Sequence, residues 1–260
     1  MIGFFDSGFG GLQTMKDFQE RYPQYNYMFL ADSKNCPFGA KDGETIKQLT
    51  FDGIQRLFDH GAKIVILACN TAAAYAVRSR QTQYPEKKVL SITIPGVEKI
   101  LTEEHNERKI GILATQATIL SNIYTDLFHK FGGKNNPDFQ FIMAPKLVEL
   151  VESGETNEEE IEFIVQEHIN KFHNIDTLIL GCTHFPILIE HIKKFFTGDI
   201  IDPSKEAAIQ FGNYLERHLE IKDQLTSGGQ TTYYTTGSPE IFSTIGSRIA
   251  EKQITAQLIE

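Results

Sequence analysis

The chain has 260 residues, 41% of them hydrophobic, and a formal charge of −9. This composition can bury a large core, and the acidity argues against a nucleic-acid partner held by a basic surface. The first residues lack the pattern of a signal peptide, and no apolar run approaches the roughly 20 residues that span a bilayer. With three widely spaced cysteines, we expect free thiols, a reducing cytoplasm and no membrane partner.

Short apolar runs alternate with amphipathic segments along the whole chain. The predicted strands, in chain order, are 2–5, 27–30, 63–68, 89–93, 109–114, 139–143, 177–181 and 231–236. The predicted helices include 72–84, 158–172, 186–196 and 239–252, with a surface loop at 222–230. Several strands are apolar almost throughout, as expected when both faces are covered. Strands that alternate with helices predict an α/β protein with doubly wound parallel sheets.

Two sequence segments recur in the same order. IGFFDS at 2–7 is echoed by IGILAT at 110–115, an offset of 110 − 2 = 108, and ILACNT at 66–71 by ILGCTH at 179–184, an offset of 179 − 66 = 113. We therefore predict two pseudo-symmetric domains facing each other across a cleft. The first would comprise 1–95 plus 207–260 and the second 96–206, with the charged segment 98–107 linking or capping them.

Four polar clusters follow predicted strands: Asp6-Ser7-Gly8, Asp32-Ser33, Cys69-Asn70-Thr71 and Cys182-Thr183-His184. Ligands of open parallel sheets bind beyond the carboxyl ends of the strands. Two facing halves would bring these clusters around one cleft, which we predict to be the active site.

Cys69 and Cys182 each end a strand and precede a predicted helix, whose N-terminus favours a thiolate. A buried apolar role is common for a single free cysteine, but a pair at matching strand ends favours chemistry. His184 and Asp6 are candidates to assist the two thiols. Their alternative roles are a solvent-facing helix start for His184 and an N-cap or turn for Asp6.

The sequence favours neither a dinucleotide site nor a metal site. The glycines at 8, 10 and 11 do not complete a dinucleotide fingerprint, because Gln13 stands where a third glycine is needed. We expect a tight turn there that offers backbone N–H groups to a carboxylate. Cys69, Cys182, Asp6 and His184 could be drawn as metal ligands, but CxxC and HxxxH spacings are absent. We predict no cofactor and no metal.

At these residues the chain resembles the glutamate racemases of the aspartate/glutamate racemase superfamily. The matching motifs run from end to end: FDSGFGG at 5–11, ADSKNCPFG at 31–39, ACNTA at 68–72, ATQATILSNIY at 114–124, LGCTHFP at 180–186 and YYTTGSPEIF at 233–242. The two cysteine motifs, in this order and spacing, are the most specific part of the resemblance.

The resemblance implies racemisation of glutamate by two thiols, with Cys69 acting on D-glutamate and Cys182 on L-glutamate. It implies catalytic roles for Cys69, Cys182, Asp6, His184, Glu152 and Asp32. It implies substrate contacts by Asp6, Ser7, Phe38, Gly39, Asn70, Thr71, Thr115, Thr118, Thr183 and His184. It also implies a cytoplasmic homodimer that supplies D-glutamate for peptidoglycan.

The chain departs from the family pattern at several positions. Phe38 replaces the usual tyrosine, which removes a hydroxyl beside the substrate, and Ser238-Pro239 stands where Gly-Asp is usual. Cys36 matches no catalytic position, so a packing role is expected for it. Two other functions remain open from sequence: an aspartate or hydantoin racemase, and an inactive protein that regulates a partner.

Overall fold

A computed structural model describes residues 1–83, 87–102, 108–132 and 137–259, with only the backbone of 77–83. The end of the helix predicted at 72–84 and residues 103–107 of the predicted linker lie outside this description. Within it, none of the helices combines the length and the apolar character that a membrane crossing requires.

The described strands and helices alternate through most of the chain. The strands are Ile2–Asp6 (β1), Tyr27–Ala31 (β2), Ile64–Leu67 (β3), Lys88–Ser91 (β4), Lys109–Ala114 (β5), Asp138–Met143 (β6), Thr177–Gly181 (β7), Asp199–Ile201 (β8), Thr231–Thr235 (β9) and Ala256–Leu258 (β10). The α-helices are Gly11–Arg21 (α1), Gly43–Asp59 (α2), Asn70–Gln83 (α3), Thr93–Thr102 (α4), Gln116–Leu120 (α5), Ile123–Gly132 (α6), Pro145–Ser153 (α7), Glu158–Ile169 (α8), Ile189–Phe195 (α9), Pro203–Arg217 (α10), Leu219–Lys222 (α11) and Pro239–Ile249 (α12). Short 3-10 turns cover Ser33–Asn35, Phe38–Ala40 and Phe185–Leu188.

The strands form two parallel sheets with the same central order. The first sheet runs β10-β9-β2-β1-β3-β4 and the second β6-β5-β7-β8. The order β2-β1-β3-β4 therefore corresponds strand by strand to β6-β5-β7-β8. The sequence echo lies on the matching pairs, β1 with β5 and β3 with β7. The predicted fold class, two pseudo-symmetric parallel-sheet α/β halves, is confirmed.

Each sheet carries an apolar core on both of its faces. In β1, Phe4 packs in one core and Phe5 in the opposite one, because successive side chains of a strand point to opposite faces. In β5, Ile112 and Leu113 divide in the same way. Burying a large aliphatic or aromatic side chain contributes roughly 1.5–3 kcal/mol, so a sheet covered on both faces is held firmly at the strands that end at the cleft.

Some elements differ from the prediction at their ends. The strands β8 and β10 were not predicted, because each has three residues and lies at a sheet edge, where no long apolar pattern is needed. The helix predicted at 186–196 starts instead as the 3-10 turn Phe185–Leu188 and becomes α-helical at Ile189. The helix predicted at 158–172 ends at Ile169.

The two predicted domain boundaries fall inside helices α4 and α10, which pack against each other. Helix α4 contributes Val97 and Ile100 to a core of the second sheet. Helix α10 contributes Ala208 and Phe211 to a core of the first sheet. The two helices thus join the halves, and the boundaries at 95/96 and 206/207 stay a prediction.

Candidate active site

The carboxyl ends of strands from both sheets surround one cavity of about 710 Å³, its open mouth included. Its lining residues are Ser7, Pro37, Phe38, Gly39, Ala40, Cys69, Thr71, Thr115, Gln116, Met143, Pro145, Val148, Glu149, Cys182, Thr183 and His184. In both sheets the cavity opens where the strand order reverses, at β1 and β3 and at β5 and β7, as expected for open α/β sheets.

Hydrogen bonds between the halves hold this cavity together. The Thr183 hydroxyl donates to Asp6 Oδ2 at 3.0 Å, and the Phe9 N–H donates to Glu152 Oε1 at 3.0 Å. A Cβ on Gly10 would lie 2.5 Å from Thr183 Oγ1, so only glycine lets the loop after β1 approach the loop after β7 this closely. The glycine loop therefore does offer N–H groups to carboxylates, and those of Asp6 and Glu152 accept them.

Cys69 follows β3 and directly precedes α3. Its Sγ lies 3.5 Å from Ser7 Oγ and accepts the Ala72 N–H at 3.5 Å. Burial and the nearby Asp6 carboxylate nevertheless raise the pKa of Cys69 to about 12. The Ala72 N–H at the start of α3 lowers this pKa, as expected, but the loss of hydration outweighs it, so the net change in the pKa of Cys69 is upward.

Cys182 follows β7 and faces an imidazole. Its Sγ lies 3.4 Å from His184 Nδ1, and His184 Nε2 lies 2.5 Å from Glu152 Oε1. Burial opposes the charge on His184, but Cys182 and Glu152 outweigh it and raise the His184 pKa well above its usual value. Burial likewise opposes the charge on Glu152, but the hydrogen bond from His184 and that histidine's charge lower its pKa. A protonated imidazole and a carboxylate thus stand behind this thiol.

Asp6 is fully buried behind the cavity and does not line it. Its Oδ1 accepts the Gly8 N–H at 2.8 Å, and its Oδ2 accepts the Thr183 hydroxyl. Burial raises the pKa of Asp6, and the charge on His184 offsets only part of that increase. Asp6 therefore influences Cys69 through its field, while its hydrogen bonds go to the backbone and the other half.

Hydroxyl and amide groups form most of the polar part of the site, and the protonated His184 imidazole is the cation among its lining residues. Among the described residues no lysine or arginine lines the cavity. The Thr71 hydroxyl lies 2.9 Å from that of Thr115, across the cleft. Tyr124 donates to Asn70 Oδ1 at 3.0 Å, which leaves Asn70 Nδ2 buried and without a partner. An unsatisfied buried donor is costly and often marks a place for a ligand or a water.

Comparison with known proteins identifies the family of this chain. The family described as Asp/Glu/Hydantoin racemase matches residues 13–210 of the chain. The chain belongs to this racemase family. A glutamate racemase of Clostridium botulinum (strain Alaska E43 / Type E3) is 35% identical over 228 residues, 87% of this chain and 86% of that protein. The family predicted from the cysteine motifs is thus confirmed, and the chain is an amino-acid racemase, an isomerase.

Solved racemase structures share the whole fold. A glutamate racemase isoform of Bacillus anthracis superposes with a TM-score of 0.88 at 28% identity, covering 100% of this chain and 97% of that one. The glutamate racemase of Francisella tularensis subsp. tularensis SCHU S4, solved in complex with D-glutamate, gives 0.87 at 29% identity with the same coverage. Both superpositions cover the whole of this chain and therefore include both halves.

Most of the predicted site residues lie together in this racemase. Those that line the cavity are Ser7, Phe38, Gly39, Cys69, Thr71, Thr115, Cys182, Thr183 and His184. Those that stand behind it, bonded to lining residues or next to one in sequence, are Asp6, Asn70, Thr118 and Glu152. Asp32 is not brought to the cavity: its carboxylate accepts the Thr236 hydroxyl at 2.7 Å and the Asn35 amide at 3.0 Å. Its catalytic role stays a prediction.

Sequence reasoning missed part of the cavity wall. The missed lining residues are Pro37, Ala40, Gln116, Met143, Pro145, Val148 and Glu149. Three of them, with Glu152, follow helical spacing on α7 at 145, 148, 149 and 152. This i, i+3, i+4, i+7 pattern defines one helix face, so the predicted position of Glu152 was a usable signal for the others.

The candidate metal ligands do not form a cluster of ligand atoms; these were Cys69, Cys182, Asp6 and His184. In the described part of the chain, the group of three acidic or imidazole side chains with ligand atoms within 4.8 Å of one another is Glu158, Glu162 and His191. These residues lie on α8 and α9 and do not line the cavity.

Proposed function

We propose that this chain is a glutamate racemase, which interconverts L- and D-glutamate with two cysteine bases and without a cofactor. The observation that carries the proposal is that Cys69 and Cys182, held by different sheets, line the same cavity. A single base would tend to return the proton to the face it came from. Two thiols that reach the cavity from separate halves support a mechanism in which one removes the proton and the other returns it to the opposite face.

The proton balance of the reaction follows from the two thiols. In one direction the Cys182 thiolate takes the α-proton of L-glutamate and becomes a thiol. The Cys69 thiol then delivers its proton to the opposite face, which yields D-glutamate and leaves Cys69 as the thiolate. The reverse direction exchanges the two roles. One sulfur must be ionised while the other is protonated, so activity falls at both pH extremes.

The polar groups of the cavity suit a dicarboxylate substrate. Hydroxyls of Ser7, Thr71, Thr115 and Thr183 surround the site, and Asn70 Nδ2 offers an unused donor. Donors aimed at the α-carboxylate would stabilise the charge that develops as the α-proton leaves. Closure of the cleft would strengthen these interactions by excluding water. His184 and Asp6 would tune the two thiols from behind.

The test is racemisation of pure L- or D-glutamate, followed by circular dichroism. We expect Cys69→Ala and Cys182→Ala each to lower turnover by about 1,000-fold or more, because each removes one of the two proton-transfer groups. Lys34→Ala, an exposed change in the loop before Cys36, is the control and keeps native turnover. EDTA and added pyridoxal phosphate should have no effect.

Two results would contradict the proposal. Either cysteine variant keeping near-native turnover would show that the residue is not a base. Inactivity of the wild-type protein on glutamate together with turnover of aspartate or a hydantoin would assign it to another member of the family. Inactivity on all three, with binding of a protein partner, would favour the regulatory alternative.

The cellular role we propose is supply of D-glutamate for peptidoglycan in the cytoplasm, by a homodimer. Family membership supports this role. Expression should rescue growth of a bacterium that requires D-glutamate, and the Cys69→Ala variant should not. Analytical ultracentrifugation of the pure protein would test the dimer, and a single monomeric species would exclude it.

A further inference from the structure

Tyr124 on α6 reaches across the cleft to Asn70 at the start of α3. Its hydroxyl donates to Asn70 Oδ1 at 3.0 Å, and each of the two residues is only 2% exposed. Burial raises the pKa of Tyr124, so the phenol keeps the proton that it donates. The hydrogen bond joins the two halves, and no role was predicted for this tyrosine from the sequence.

This hydrogen bond links the neighbours of the two proposed bases. Asn70 directly follows Cys69 in the chain. Tyr124 packs against Gly181, the residue before Cys182, because a Cβ on Gly181 would lie 3.3 Å from the Cε2 atom of the ring. The hydroxyl therefore connects the strand end that carries one cysteine to the helix start that follows the other.

The orientation of the Asn70 amide follows from the same bond. A side-chain amide ends in an acceptor oxygen and a donor nitrogen, whereas the protonated phenol needs an acceptor. With Oδ1 toward Tyr124, the phenol has its acceptor and Nδ2 points elsewhere. The reverse orientation would take this acceptor away from a buried hydroxyl, which is costly. Nδ2 is left buried, and the described residues supply no acceptor for it.

The unused Nδ2 group lies directly behind the cavity wall. The residues on either side of Asn70, Cys69 and Thr71, both line the cavity. A buried amide donor without an acceptor is unfavourable, and a ligand carboxylate would supply the missing acceptor. In the reverse orientation of the amide, Oδ1 would take the place of Nδ2 and would repel a carboxylate.

We propose that Tyr124 is a positioning residue, which orients the Asn70 amide so that Nδ2 donates to a carboxylate of the substrate. The inference rests on the proposed racemase function, because glutamate is the substrate meant. Tyr124 does not line the cavity, so it acts through Asn70. Because the phenol and the amide belong to different halves, the donor is correctly oriented only when the halves are in place.

The experiment compares the wild-type chain with Tyr124→Phe, Asn70→Ala and the double variant. Tyr75→Phe is the matched control, since it also removes a phenol hydroxyl between the halves, one that donates to the Ala117 carbonyl at 3.0 Å. Calorimetric titration measures the Kd of glutarate, a dicarboxylate without a stereocentre. ¹⁵N NMR follows the side-chain amide of Asn70 during the same titration. Neither measurement needs racemisation, so failure of this inference is separable from failure of the proposed function.

In Tyr124→Phe we expect the Kd of glutarate and the KM of glutamate to rise on the order of tenfold, the usual effect of losing one hydrogen bond to a charged group. Asn70→Ala should show a loss at least as large. The double variant should show no further loss, because both changes remove the same donor. Glutarate should shift the Asn70 amide signal in the wild type and much less in Tyr124→Phe. Tyr75→Phe should match the wild type.

The inference fails on any of three results. One is a glutarate affinity in Tyr124→Phe that equals that of the wild type. Another is an equal loss in Tyr75→Phe, which would show a general effect of contacts between the halves. The third is a double variant whose loss is the product of the two single losses, which would show that Tyr124 acts apart from Asn70. If Tyr124→Phe does not fold, the wild-type NMR titration still decides, because an Asn70 amide that does not respond to glutarate contradicts the proposal.

Discussion

Cys69 and Cys182 occupy equivalent positions in the two halves, after β3 and β7, yet their surroundings differ in charge. Cys69 is contacted by two neutral groups, the Ser7 hydroxyl and the Ala72 N–H, with the Asp6 carboxylate nearby. Cys182 lies beside His184, whose pKa is raised well above its usual value. Their exposed fractions are nearly the same, 5% and 6%, so burial alone does not distinguish them.

This difference shows that a duplicated fold need not produce two equivalent acids. A neighbouring cation favours a thiolate, and a neighbouring carboxylate disfavours it. We therefore infer that Cys69 keeps its proton at neutral pH, since burial and the Asp6 carboxylate raise its pKa. A Cys69 thiolate would rely on the neutral groups of Ser7 and Ala72, whereas the charged His184 lies against Cys182.

The largest expected effect follows from removing the cation. His184→Asn should lower kcat/KM by roughly 100- to 10,000-fold, the usual range for a group that assists proton transfer. The loss must be equal for both enantiomers, because the equilibrium between them is fixed. Circular dichroism over a range of pH measures it, and retention of near-native turnover would remove His184 from the mechanism.

Exchange of the substrate's α-proton for deuterium in D₂O measures proton abstraction by each cysteine separately in the same variant. His184→Asn should lose exchange from L-glutamate, which depends on Cys182, and retain more of the exchange from D-glutamate, which depends on Cys69. Proton NMR of the recovered substrate gives both rates. Equal losses of exchange from the two enantiomers would contradict the assignment of L-glutamate to Cys182 and of D-glutamate to Cys69.

A smaller effect is expected in alkylation of the two thiols. With iodoacetamide at neutral pH, Cys182 should react faster than Cys69 by roughly tenfold or more, since the thiolate is the nucleophile. Peptide mass spectrometry after short reaction times gives the two rates. In His184→Asn the difference between the two alkylation rates should shrink. Faster labelling of Cys69 than of Cys182 in the wild type would contradict the proposed difference between the two thiols.

The smallest expected effect is on thermal stability, and its sign differs between Asp6 and Glu152. Burial raises the pKa of Asp6, so its ionisation destabilises the fold increasingly as pH rises through that folded-state pKa. Glu152 has a lowered pKa, so its contribution is present above the unfolded pKa and is lost as pH falls through the folded one. At pH 8 we expect Asp6→Asn to raise Tm and Glu152→Gln to lower it, each by about 2–4 °C. Calorimetry at pH 8 and pH 4 checks both signs.

Local patterns predicted much of the fold and the centre of the site. The strands at 109–114 and 177–181 have the predicted ends, because long apolar runs with polar boundaries define them. The three-residue strand β10 was not visible, since pairing with β9 defines it more than its own residues do. The cavity-lining residues Met143 and Gln116 were missed because nothing in their local sequence shows that they face the cleft.

The sequence by itself determined the α/β class, the two matching halves, the family and the pair of cysteines, because strand periodicity and motif order are local properties of the chain. Only the tertiary structure decided the charge around each thiol. Glu152 reaches His184 across 32 residues of chain, and the Phe9 N–H reaches Glu152 across 143. Burial and such long-range contacts govern proton affinity, and no local pattern of residues specifies them.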